Sequence, residues 1–113
     1  MEIESLIKTI IQCAYNVRMH LATGFLEAVY QKALVIELKE KGIDAETEAP
    51  INVYYKNIVV GEFRADIIVE KKIIIELKAV QNLIPIHETQ LVNYLTATNT
   101  DHGLLINFGG ERI

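Results

Sequence analysis

With one cysteine, Cys13, the chain can form no intrachain disulfide and no zinc site built on cysteine. Its place in an apolar helical pattern predicts a buried thiol, and with it a reducing compartment. Long hydrophobic runs are missing too: the isoleucine-rich stretches are too short and too interrupted to span a bilayer. The opening Met-Glu-Ile-Glu has neither the basic nor the apolar region of a secretory signal. A cytoplasmic protein with no membrane partner is the expectation. Basic residues are scarce, with 11 Lys and Arg against 15 Asp and Glu, a net charge of −4, and no basic cluster beyond Lys71-Lys72. That balance counts against a protein whose main business is gripping phosphates. Acids gathered at a metal site would nevertheless invert the local sign once an ion is bound. Also absent are a Gly-rich phosphate loop, a Ser-His-Asp order, a two-His helix motif, a repeat, a low-complexity tract and a linker.

What is present is apolar. Half of the 113 residues are hydrophobic, enough for one domain, residues 1–113, with a single core. Ile3, Leu6, Ile7, Ile10, Ile11, Ala14 and Val17 recur at helical spacing, predicting an amphipathic helix over 3–20. After Ala22-Thr23-Gly24 a second helix is expected to about Lys41, with Thr23 or Gly24 as its N-cap and Gly42 as its stop. Pro50 closes a polar stretch, 44–48, and three strands are predicted beyond it at 51–56, 58–70 and 72–80. Tight turns at Lys56-Asn57 and at 70–72 join them. Pro85 opens a third helix to about Thr98, and 103–108 is a short apolar fourth strand. The order is α-α-β-β-β-α-β. A right-handed crossover through the third helix lays the fourth strand parallel to the third in a mixed sheet.

The strongest chemical signal lies in the hairpin. With 70–72 as the turn, Val69 faces Ile73, Ile67 faces Ile75, Asp66 faces Glu76 and Arg64 faces Lys78. Alternation then puts Phe63, Ala65, Ile67, Val69, Ile73, Ile75, Leu77 and Ala79 on one apolar face. Arg64, Asp66, Glu76 and Lys78 share the other, with Ile68 and Ile74 nearer the turn. Two opposed carboxylates repel unless something positive sits between them. A hard divalent cation such as Mg²⁺ would serve, bound through one or two carboxylates and keeping several waters. Lys78, on the same face, could orient or deprotonate a water or offset charge on phosphate. The other reading is a solvated sheet face with diagonal salt bridges, Arg64 to Glu76 and Asp66 to Lys78.

Two helices add candidates. Glu27 and Tyr30, three apart, share a helix face, so Glu27 could be a further metal ligand and the Tyr30 hydroxyl could lie near a phosphate. Alternatively Glu27 answers the helix dipole and Tyr30 packs at the core's edge. In the third helix His87, Gln90 and Tyr94 line one face, and Leu91 and Leu95 the other. Gln90 could contact substrate or a metal-bound water with His87 assisting, or His87 could simply make a local hydrogen bond at the helix start.

Together these residues carry a resemblance. The order α-β-β-β-α-β, with Asp66 on the second strand and Glu76-Leu77-Lys78 on the third, resembles the PD-(D/E)XK nuclease superfamily. More narrowly, four segments in register look like the small prokaryotic GxxExxY proteins: Gly24-x-x-Glu27-x-x-Tyr30, the stretch from Ile75 to Val80, the helix His87-Glu88-x-Gln90-Leu91-x-x-Tyr94-Leu95, and the apolar ending from Gly103 to Phe108. The resemblance implies a restriction-endonuclease-like α/β fold and a Mg²⁺- or Mn²⁺-dependent nuclease acting on DNA or RNA. Within it Asp66, Glu76 and the Leu77 carbonyl would be ligands, Lys78 catalytic, Gln90 and Glu27 supporting, and Tyr30 and His87 near the substrate. Ala65 stands where the superfamily's name has proline, and Ala22-Thr23 replaces a Gly-Pro-like start before Gly24. Relatives continue past the position of Ile113 into another basic strand, which puts part of a substrate surface in question. The rival expectation, from another class, is a non-catalytic interaction module that keeps the fold, with a homodimer as one form of it.

Overall fold

A computed structural model describes residues 1–110. Helix α1, Ile3–His20, buries Leu6, Ile10, Cys13, Ala14 and Val17, one stripe at spacings of three and four, as the periodicity predicts. Helix α2, Glu27–Glu40, buries Tyr30, Leu34 and Leu38, a stripe one turn apart at each step. It starts later than expected: its N-cap is Leu26, whereas Thr23 and Gly24 belong to the preceding loop, where Gly24 turns the chain with φ +109. At its other end Gly42, with φ +74, lets the amides of Gly42 and Ile43 reach back to the carbonyls of Lys39 and Leu38, both at 3.0 Å.

The four strands are β1 (Ala45–Tyr55), β2 (Ile58–Val69), β3 (Ile73–Lys78) and β4 (His102–Asn107), in the spatial order β1-β2-β3-β4. Helix α3, Pro85–Thr98, carries the chain from β3 to β4, and these two strands pair in parallel, as the crossover argument requires. Strand β1 begins six residues before the expected start at Ile51 and runs through Pro50. Being at the sheet's edge, it can hold a proline, whose missing N–H is not needed by a second neighbour. The polar stretch hides the strand because Ala45 and Ala49 are its only buried residues before Ile51. Lys56 and Asn57 both have positive φ, 50 and 66, and form the two-residue turn between β1 and β2.

Helices α1 and α2 cover one face of the sheet, packing on Ile67, Val69, Ile73, Ile75, Leu77 and Ile106. Helix α3 covers the other with Leu91 and Tyr94, over Ile51, Ala65 and Ile74. Here the expected alternation fails: Ala65 lies under α3 and Phe63 stacks obliquely on Tyr94, both on the face opposite to Ile67. The change of phase falls at Asp66 and at Glu48 across from it, where Glu48 has φ 52 and breaks the pleat. Among the described residues no helix is long and apolar enough to cross a membrane.

Candidate active site at the β2–β3 break

Backbone pairing between β2 and β3 runs through Val69 with Ile73, Ile68 with Ile74 and Ile67 with Ile75, then stops. Asp66 explains the stop. Its Oδ2 accepts the Leu77 N–H at 2.7 Å, taking the place of a backbone carbonyl. Asp66 and Glu76 are therefore not ladder partners as expected, although both remain at the same level of the sheet. Arg64 is not paired with Lys78 either, since the β2–β3 ladder ends at Ile67; on the other side of β2 it pairs with Pro50 of β1, and it donates to the Glu48 carbonyl at 3.4 Å. From α2, Gln31 donates to the Asp66 carbonyl at 2.8 Å, so the residue is held through both its backbone and its carboxylate.

Glu76 is only 5 % exposed. Its Oε2 lies 3.8 Å from Lys78 Nζ, while its Oε1 is buried with no hydrogen-bond partner among the described residues. Burial first, and the Asp66 charge second, push the Glu76 carboxyl up to about 7, against the pull of Lys78. Asp66 is raised as well, chiefly by burial, with Glu27 and Glu48 adding to it and the Leu77 N–H opposing. The diagonal bridges from Arg64 to Glu76 and from Asp66 to Lys78 do not form among the described residues; the pair that forms is Lys78 with Glu76. Lys78 Nζ also donates to Gln90 Oε1 at 3.2 Å, and Gln90 Nε2 in turn donates to the Tyr94 hydroxyl at 3.1 Å.

Glu27, exposed at the start of α2, lines a cavity of about 180 Å³ together with Gln31, Glu48, Asp66 and Leu77. Glu48 and Gln31 were not singled out from the sequence. Gln31 was within reach of it, being one helical turn beyond Glu27 on the same face. Glu48 was not, because its place depends on the unforeseen start of β1. Tyr30 is fully buried, stacked on Phe108 with centroids 4.8 Å apart. Its hydroxyl donates to the Ala22 carbonyl at 2.6 Å and accepts the Phe25 N–H at 3.3 Å, tying down the loop that precedes Glu27. His87 Nδ1 accepts the Ile84 N–H at 3.1 Å and so is engaged at the start of α3.

A further buried residue, Asn107, fixes the end of β3. Its Oδ1 accepts the N–H groups of Val80 and Gly109 at 3.1 and 3.0 Å, and its Nδ2 donates to the Val80 carbonyl at 2.8 Å. The Phe108 N–H reaches the Lys78 carbonyl at 2.8 Å. Position 109 accepts only glycine, since a Cβ there would collide with the backbone of Ala79 and Val80.

Among the described residues no three Asp, Glu, His or Cys side chains lie close enough to cage an ion by themselves. A Mg²⁺-type site, built from one or two carboxylates, a carbonyl and waters, does not require three. The donor set fits such an ion: hard oxygens only, a buried carboxylate oxygen without a partner, and more negative charge than Lys78 can offset.

No curated protein and no solved structure matches the chain. The family model of the PD-(D/E)XK nuclease superfamily matches residues 4–113. The Asp-bearing strand, the following Glu-x-Lys strand and the four-stranded mixed sheet between helices agree with that match, and the chain belongs to the PD-(D/E)XK nuclease superfamily.

Proposed function

We propose that this protein is a Mg²⁺- or Mn²⁺-dependent nuclease that hydrolyses phosphodiester bonds in nucleic acid, of the GxxExxY type within its superfamily. The observation that carries the reading is Glu76: a carboxylate in the sheet, beside Asp66, with one oxygen that the fold leaves unpartnered. Leaving such an atom buried costs roughly 1–3 kcal/mol or more, a cost that a ligand can offset.

Asp66, Glu76 and the Leu77 carbonyl would hold the ion, with Glu27 reaching it through water. A bound divalent ion supplies Lewis-acid polarisation of the phosphate and a water of lowered pKa. Asp66 is pre-set for binding, because the Leu77 N–H and Gln31 fix its carboxylate and its carbonyl. Lys78 points its ammonium at Glu76 and Gln90, where it can offset charge developing on the phosphate or orient the attacking water. Gln90 acts by positioning Lys78. Tyr30 acts further back, holding the loop before Glu27, and His87 acts by closing the start of α3.

The test is cleavage of single-stranded, duplex and branched substrates in Mn²⁺. Activity should vanish in Asp66→Ala and in Glu76→Ala, fall by about 10²-fold or more in Lys78→Ala, and change little in His87→Ala. Wild type that binds the ion by calorimetry yet cleaves none of the three would favour the non-catalytic module. Activity surviving both carboxylate substitutions would belong to a contaminant.

A further inference from the structure

Beyond Lys78, a groove of about 820 Å³ runs between the outer half of the β1–β2 hairpin and α3, within the size range of small-molecule sites. Tyr54 and Phe63 from the hairpin and Tyr94 from α3 give it aromatic walls, with the Phe63 and Tyr94 rings 5.6 Å apart at a tilt of 43°. Along α3 the polar lining is Thr89, Gln90, Asn93 and Thr96, none of them charged, set beside the apolar Ile86 and Ala97. No residue lining the groove carries a charge.

This combination selects among ligands. A phosphate would find no cation in the groove, and an acidic or basic peptide would find no counter-charge. A flat, neutral, aromatic group with donors and acceptors on its rim would find faces to stack on and amides to pair with. A nucleobase is such a group. Phe63 is moreover 45 % exposed and Tyr54 61 %, aromatic surface left facing water. The Phe63 ring lies over Gly61, where a Cβ would come within 2.9 Å of it.

The groove is also continuous with the candidate site. Gln90 lines it while holding Lys78 with one end of its amide and Tyr94 with the other. A ligand pairing with Gln90 therefore meets the residue that positions the lysine.

We infer that this groove takes an unpaired nucleobase of the substrate, beside the phosphate offered to Lys78, so that the substrate class is single-stranded or locally unpaired nucleic acid. The inference rests on the nuclease reading, which supplies the nucleotide at the groove's end. In a duplex the base is already stacked and paired, and entering the groove would require it to be extruded at a further cost.

Phe63→Trp places one tryptophan in a chain that has none, at the groove itself. In Ca²⁺, a short single-stranded oligonucleotide should quench its emission, whereas the same backbone without bases, and a blunt duplex, should not. Phe63→Ala should weaken binding of the labelled single strand, read by anisotropy, by roughly five-fold or more. Equal quenching by the abasic strand, or none by any strand, overturns the inference. So does self-association in light scattering that Phe63→Ala abolishes, which would give the groove to a second copy of the chain. The two readings fail separately. Base-dependent quenching without Mn²⁺-dependent cleavage leaves the groove and sinks hydrolysis, while equal cleavage of intact strands and of strands abasic beside the scissile bond sinks the groove alone.

Discussion

Glu76 is a carboxyl whose folded value, about 7, lies well above its ordinary 4.5. Between those two pH values the metal-free folded protein holds a proton that the unfolded chain has released. The contribution of this group to stability is therefore fully present below about 4.5 and is lost as pH rises through 7, to the order of 3 kcal/mol. Glu76→Gln, which keeps the shape and removes the ionisation, should be progressively more stable than wild type from pH 5 to pH 8 when both are unfolded in urea with a chelator present. Parallel pH profiles for the two proteins would mean that Glu76 ionises freely in the fold. Mg²⁺ should shrink the difference by giving the ionised wild type its missing partner. The same residue shows what the sequence could say about the site. The run from Asp66 to Lys78 located the charged groups, because alternation along β3 keeps Glu76 and Lys78 on one face whatever lies across from them. It placed Asp66 against Glu76 as a plain ladder pair, however, and could not show that a side chain would displace the ladder's own hydrogen bond.

At the scale of elements, the end of β3 is set by β4. Asn107 binds Val80 on both its N–H and its carbonyl, and Gly109 lies directly against the backbone of Ala79 and Val80. Gly109→Ala should thus cost about 2 kcal/mol or more, since backbone cannot move aside as a side-chain end can. In urea denaturation the midpoint should fall, and in Mn²⁺ the remaining folded protein should lose activity, because the Lys78 carbonyl is anchored to Phe108 in the same turn. An unchanged midpoint would show that the β3–β4 end gives way freely. None of this was legible: Asn107 falls inside the apolar strand expected over 103–108, and Gly109 just beyond it. The elements themselves were legible wherever a period was strong. Helix α3 was placed at its observed ends because Pro85 opens it and the β strands flank it, and α1 because its stripe is unbroken. Where the period is weak, the elements depart from what the sequence predicts. Strand β1 opens with mostly exposed polar residues, and the phase change at Glu48 and Asp66 turns on one positive φ that an L-residue rarely adopts.

At the scale of the whole molecule, the acidic balance sets how substrate can be held. With a net charge of −4 and only Lys71-Lys72 as adjacent basic residues, few phosphates can be neutralised directly. The logarithm of affinity falls with the logarithm of salt by about 0.7 to 0.9 for each phosphate neutralised. Binding of a single strand in chelator should therefore be weak, with a salt slope no steeper than about −2. Adding Mg²⁺ should tighten it, because an ion at Asp66 and Glu76 turns a repulsive site into an attractive one. Asp66→Asn should remove that gain while leaving the weak binding in chelator unchanged or slightly stronger, since one of the repelling charges is gone. The comparison separates the site's charge from the groove's stacking: the metal gain depends on the carboxylates and falls with salt, whereas stacking on Phe63 is uncharged and should persist as salt is raised. Tight binding in chelator with a steep salt slope would locate the phosphate grip on lysines and arginines away from Asp66, and would mean that the acidic site is not what draws nucleic acid to this protein.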